Sequence, residues 1–169
     1  MAEPLFSDTG ETFDSTGSTF DSDVTARGQI VAAMAAALAG LTSGATVIRA
    51  QPSPSRRGDL PAVFVWTGRE EISRSNKAGD KRRILSLYAT AAAEHADVEA
   101  LDDLVERLAG EVEARLCGSA GFAALFKTLD LVALEKEASE DGKKSAAAVR
   151  LTFEAEYRTA AADPWTFIQ

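Results

Sequence analysis

The chain has 169 residues, 46% of them hydrophobic and 26% charged, and a formal net charge of −8 at neutral pH. That length fits one domain and supports a core of normal size, and the composition is that of an ordinary globular protein. An acidic balance is the opposite of what a general nucleic-acid-binding protein carries. The most apolar stretch, Ile30 to Leu41, is broken by alanines and ends at Gly40, so no membrane span is expected. Met1-Ala2-Glu3-Pro4 lacks the basic start and apolar body of a signal peptide. A single Cys117 excludes an internal disulfide, and the expected folding compartment is the cytoplasm.

The charge is unevenly spread. Glu3, Asp8, Glu11, Asp14, Asp21 and Asp23 fall before Val24 with no Lys or Arg among them, leaving −2 for the rest of the chain. Residues 1–23 are rich in Ser, Thr, Asp and Gly, the composition of an arm that buries little of itself. Thr12-Phe13-Asp14-Ser15 recurs as Thr19-Phe20-Asp21-Ser22, so Phe6, Phe13 and Phe20 are spaced by seven. Two readings stand side by side: a loose acidic tail, or an arm whose aromatic anchors dock in grooves on a neighbour.

From Asp23 or Val24 to Ala39 the pattern predicts a helix, capped by Asp23 or Thr25, with Ile30, Met34, Ala37, Leu38 and Leu41 on its apolar side. Gly40 ends it. A short strand at Thr46 to Ala50 precedes a loop, Gln51 to Leu60, in which Pro52 and Pro54, with Pro61 after it, rule out regular structure. Ala62 to Thr67 reads as a buried strand continuing towards Arg74; after a turn at Asn76 to Asp80, Lys81 to Ala93 returns beside it. Arg69, Arg74, Lys77, Lys81, Arg82 and Arg83 surround the tip of that hairpin, either as guards of a strand edge or as a contact surface for an acidic neighbour.

Asp97 to Leu116 is the clearest element. Val98, Leu101, Leu104, Val105, Leu108, Val112 and Leu116 recur at helical steps, and Gly118 closes the helix. Gly121 to Phe126 forms a short helical turn. Leu129 to Lys136 and Ser145 to Thr159 form a second hairpin around Asp141-Gly142. In its return strand Ala147, Val149, Leu151, Phe153, Ala155 and Tyr157 face one side, and Arg150, Thr152, Glu154, Glu156 and Arg158 the other. The order α-β-β-β-α-β-β gives an α+β domain over residues 24–162: an antiparallel or mixed sheet of about five strands with two main helices on one face. Residues 163–169 form a tail, with Trp165 and Phe167 as candidate contacts.

No catalytic constellation emerges. His95 is the only histidine and stands just before a helix; with one cysteine there is no metal set at ligand spacing, and no nucleophile pairs with it in a recognisable context. Cys117 reads as a small half-buried residue at a helix end. Asp102-Asp103 and Glu111/Glu113 belong to the solvated side of the helix, and no phosphate-binding glycine loop or EF-hand pattern occurs. No enzymatic activity, cofactor or metal is expected.

Arg27 and Ile30 leading to Leu38-Ala39-Gly40-Leu41, then Leu60-Pro61-Ala62-Val63-Phe64-Val65, Asp102-Asp103-Leu104, and the closing Leu151-Thr152-Phe153-Glu154-Ala155-Glu156-Tyr157-Arg158-Thr159 follow in a telling order. Over residues 25–162 the chain resembles the tail-terminator family (tail-completion, minor tail protein U-like) of long-tailed phages and gene transfer agents. That resemblance implies a non-enzymatic virion protein, assembled in the host cytoplasm as a homo-hexameric ring at the head-proximal end of the tail. Its implied partners are its own copies, the tail-tube protein and the head–tail connector or stopper, with DNA passing through the lumen unbound and no membrane involved. A head–tail stopper or a tail-tube subunit is the alternative from nearby; a small enzyme and a stand-alone binding module are the remoter ones. The arm, residues 1–23, departs from the family pattern.

Overall fold

A computed structural model describes residues 25–52, 60–141 and 144–168. Helix α1 spans Ala26–Ala37, and Thr25 caps it by accepting the Gly28 N–H. Ile30, Met34 and Leu38 recur every fourth residue and are fully buried. Gly40 and Gly44 supply the left-handed backbone that turns the chain into strand β1, Thr46–Ile48. Strand β2 (Ala62–Arg74) is entered across a cis Leu60–Pro61 peptide and pairs with β3 (Lys81–His95). Helix α2 (Val98–Gly118) starts at Asp97, whose carboxylate accepts the N–H groups of Glu99 and Ala100. A short helix α3 (Ala120–Ala123) leads to β4 (Thr128–Asp141) and β5 (Lys144–Thr159).

The strands form one sheet in the order β1-β2-β3-β5-β4, antiparallel except for the parallel β1–β2 pair. Both helices lie on one face, as the sequence pattern requires. Val63, Val65, Leu85, Leu87, Val149, Leu151 and Phe153 meet Ile30, Met34, Leu101, Val105, Leu108 and Leu116 in a single core. Each such side chain, fully buried, contributes roughly 1.5–3 kcal/mol, so this layer is the main source of stability.

Boundaries moved where tertiary contacts intervene. The first helix is shorter than its pattern, and β1 stops at Ile48 because only Thr46–Ile48 find a partner, opposite Ala62–Phe64. Strand β4 runs past Lys136 to Asp141 because β5 pairs with it along that whole length. Val98, the first residue of α2, is 56% exposed and takes no part in the buried apolar stripe. Cys117 is exposed rather than half-buried.

Candidate interaction surfaces

The hairpin β2–β3 is the first of the sequence-derived candidates, and its tip is tightly organised. Asn76 and Asp80 hydrogen-bond across the turn, Ser75 N–H donates to Asp80 O at 2.6 Å, and Gly79 takes the positive φ that the turn needs. Arg74 folds back, donating to the carbonyl oxygens of Asn76 and Lys77. Arg69 pairs with its neighbour Glu71, and Arg82 with Glu156 at 2.6 Å.

Arg83 does not project from the hairpin. Strand alternation turns it onto the helix side, where it is buried, ion-paired with Glu70 at 3.1 Å and donating through Nε to Thr159 at 2.9 Å. Tyr157 donates its hydroxyl to the same Glu70 carboxylate, and burial together with that carboxylate pushes the phenol well above its ordinary pKa. Arg27 of α1 closes the cluster from above, reaching Thr67 Oγ1 and the Gly68 carbonyl. Of the six hairpin cations, Arg74, Lys77 and Lys81 form no ion pair among the described residues.

The C-terminal tail is a packed strap rather than a free end. Phe167 bridges to Thr159 and lies 5.4 Å from the Tyr157 ring, and Ile168 N–H donates to Arg158 O. Pro164 O accepts the N–H of Ala26, and Gln29 donates to Trp165 O. Trp165 stays 41% exposed while Phe167 packs against the core, so the two aromatic candidates have different fates. Phe6, Phe13 and Phe20 lie outside the described residues.

Two surfaces escaped the sequence reading. One is the pair of free sheet edges. Among the described residues, strand β1 covers only the start of β2, so Val65 to Arg74 have no outer partner, and β4 has none along its outer side. Large apolar side chains are exposed on each: Ile72 (54%) on β2, Val132 and Leu134 (55% each) on β4. The signal was present in Glu71-Ile72-Ser73-Arg74, one apolar residue within a polar run.

The other is the sheet face without helices. A stacked pair, Trp66 and Tyr88 at 5.2 Å, floors a cavity of about 460 Å³ there, with Thr90 and Arg150 on its wall. Arg150 is held by Glu135 and Glu137, while Thr90 Oγ1 is buried without a partner among the described residues.

Two of the titratable residues weighed for chemistry, His95 and Glu111, hold loops in place. His95 Nδ1 accepts the Asp97 N–H and shapes the entry to α2. Glu111 accepts the N–H groups of Thr42 and Ser43, which hold its carboxyl below the usual range, and Arg115 one turn on donates to the carbonyls of Ala39 and Gly40. Together they clamp the α1–β1 loop. Among the described residues no three His, Cys, Asp or Glu side chains gather as a metal site, and no helix is long and apolar enough to cross a membrane.

No family model and no curated protein matches the sequence. Among solved structures the chain is similar to one from "Virion of native gene transfer agent (GTA) particle", at 17% identity and a TM-score of 0.42, covering 76% of this chain and 92% of that one.

Proposed function

We propose that this chain is a structural virion protein, the ring subunit that ends a phage-like tail tube and joins it to the head connector. The sequence resemblance over residues 25–162 supplies the specific role. The observation that carries the assembly part is the placement of exposed apolar residues on two different sheet edges, Ile72 on β2 and Val132 with Leu134 on β4. A closed ring is built from heterologous contacts, in which one patch of a subunit meets a different patch on the next. Edges on opposite sides of one rigid sheet are suited to that; a two-fold dimer needs only one. The bulge between Leu131 and Ala133, with Glu135 to Glu137 beyond it, discourages open-ended strand pairing and favours contact through side chains. The partners are then the chain's own copies, the tube protein and the connector, with DNA passing through a lumen that does not bind it.

Electron microscopy and native mass measurement test this, with six-fold rings expected free or on tail tubes. Ile72→Asp and Leu134→Asp should each block ring formation without unfolding the chain. Mixing the two variants should give heterodimers, because each retains the edge the other has lost. A stable monomer with no affinity for tubes would sink the proposal, and an Ile72→Asp chain that still dimerises with itself would replace the ring by a two-fold contact.

A further inference from the structure

The two free edges of the sheet are not chemically alike. Along β4, Glu135 and Glu137 share Arg150, while Asp102 and Glu106 of α2 share Lys136. Each cluster keeps one carboxylate beyond what its cation neutralises. Asp130, exposed on the same strand, forms no ion pair among the described residues, so the β4 side is acidic. The β2 side is the opposite. Arg74 turns its guanidinium to two backbone carbonyls, and Lys77 and Lys81 meet no carboxylate among the described residues. Asp80 is the only acid between Arg74 and Arg83, and Asn76 holds it. Arg69 pairs only with Glu71, their side chains 81% and 59% exposed, a contact that contributes little to the fold.

We infer that the β2–β3 hairpin of one copy lies along β4 of the next in a single register, with Ile72 against Leu134, Arg69 against Glu137 and Lys77 beside Asp130. This rests on the ring reading above and adds to it the register and the charge that fixes it. Direction is the first support. Strands β2, β3, β5 and β4 are antiparallel in turn, so β4 runs opposite to β2, and copies related by the rotation of a ring bring these edges together antiparallel. Face is the second. Ile72 is in register with Arg83 and Leu134 with Leu151, both buried on the helix side, so the two exposed apolar residues share that face. Spacing is the third. Counting in opposite directions from Ile72 and Leu134, the bulge at Gly68 and Arg69 falls opposite Glu137. Glu71 falls opposite Glu135, each already beside its own arginine. Towards the tip Ser75 falls opposite Asp130, two residues from Lys77. Within one chain Ile72 is level with Tyr157 and Leu134 with Leu151. Neighbouring copies are therefore offset by about 20 Å along the strands, at about 3.3 Å per residue. Complementary charge of this kind sets register and suppresses the alternatives.

Charge swaps in the full-length chain test the register, with association read by sedimentation and native mass at low and high salt. Arg69→Glu and Glu137→Arg should each weaken association about tenfold, because each leaves like charges facing. Both changes in one chain should restore it to within about threefold, since every junction of a head-to-tail contact then holds a reversed pair. Lys77→Glu with Asp130→Lys should recover in the same way. The crossed combination, Arg69→Glu with Asp130→Lys, should not. Raised salt should weaken the wild-type contact. With Cys117→Ser as background, Ile72→Cys and Leu134→Cys in one chain should form disulfide-linked multimers faster than Ile72→Cys with Thr128→Cys. Circular dichroism should be unchanged, since all these side chains are exposed. Rings in which the matched swaps fail to recover, or in which Thr128→Cys traps as fast as Leu134→Cys, overturn the register and leave the ring standing. A wild-type chain that stays monomeric overturns both.

Discussion

Glu70 carries more than a surface glutamate should. It is the common acceptor for Arg83 and Tyr157 in a largely buried position where neither partner can turn to water. Removing one member of such a set leaves the others desolvated and unpaired, so Glu70→Ala should cost about 3–5 kcal/mol in urea unfolding. The double replacement Glu70→Leu with Arg83→Met should cost far less, because it removes both charges together. A loss below about 1 kcal/mol for the single change would mean that water reaches the cluster. The same residues anchor the strap, since Thr159 both accepts from Arg83 and bridges to Phe167.

At the scale of elements, the bulge in β2 matters most. Between Thr67 and Glu70 the register slips against β3, and this slip puts Glu70 on the helix side opposite Leu85. Gly68 sits in the bulge with the Tyr88 ring directly over it; a Cβ there would lie 2.3 Å from Tyr88 Cε2. Tyr88 cannot give way freely because its other neighbour is the stacked Trp66. Gly68→Val should therefore break the stack and cost about 1–3 kcal/mol, the range for overpacking. Near-UV circular dichroism reports the stack, and an unchanged aromatic signal would show that the ring has room to shift. Helix α2 plays a second role beyond its apolar stripe, since Glu111 and Arg115 hold the loop that delivers β1 to the sheet edge.

For the whole molecule, these depressed carboxylates give folding a pH dependence with a definite sign. The hydrogen bond from Arg82, aided by the Lys127 ammonium 3.4 Å away, holds Glu156 below the ordinary carboxylate range, and the backbone N–H of Thr42 does so for Glu111. In the unfolded chain both titrate near their usual value of about 4.3. Between the folded and unfolded values the unfolded chain binds more protons, so the stabilisation is complete above about pH 5 and is lost as pH falls through the folded values. Thermal unfolding followed from pH 7 to pH 3 should show this loss. Glu156→Gln should lower stability at pH 7 and flatten the acid limb; an acid limb of unchanged steepness would assign the dependence to other groups.

The sequence by itself determined the elements and their faces. Alternation in residues 145–159 and the helical step in 98–116 are local periodicities, and each names its buried side without reference to anything distant. It also determined the uneven charge and the repeated Thr-Phe-Asp-Ser of the arm. Only the tertiary structure decided what the charged and aromatic residues do. Arg83 looked like one more tip cation because a strand's inward face is visible in sequence only when its residues are apolar. Phe167 packs against the core because the chain end returns along β5. Neither the free edges nor the cavity over Trp66 and Tyr88 could be read in advance, since both depend on which strands lie next to one another and where their pairing stops.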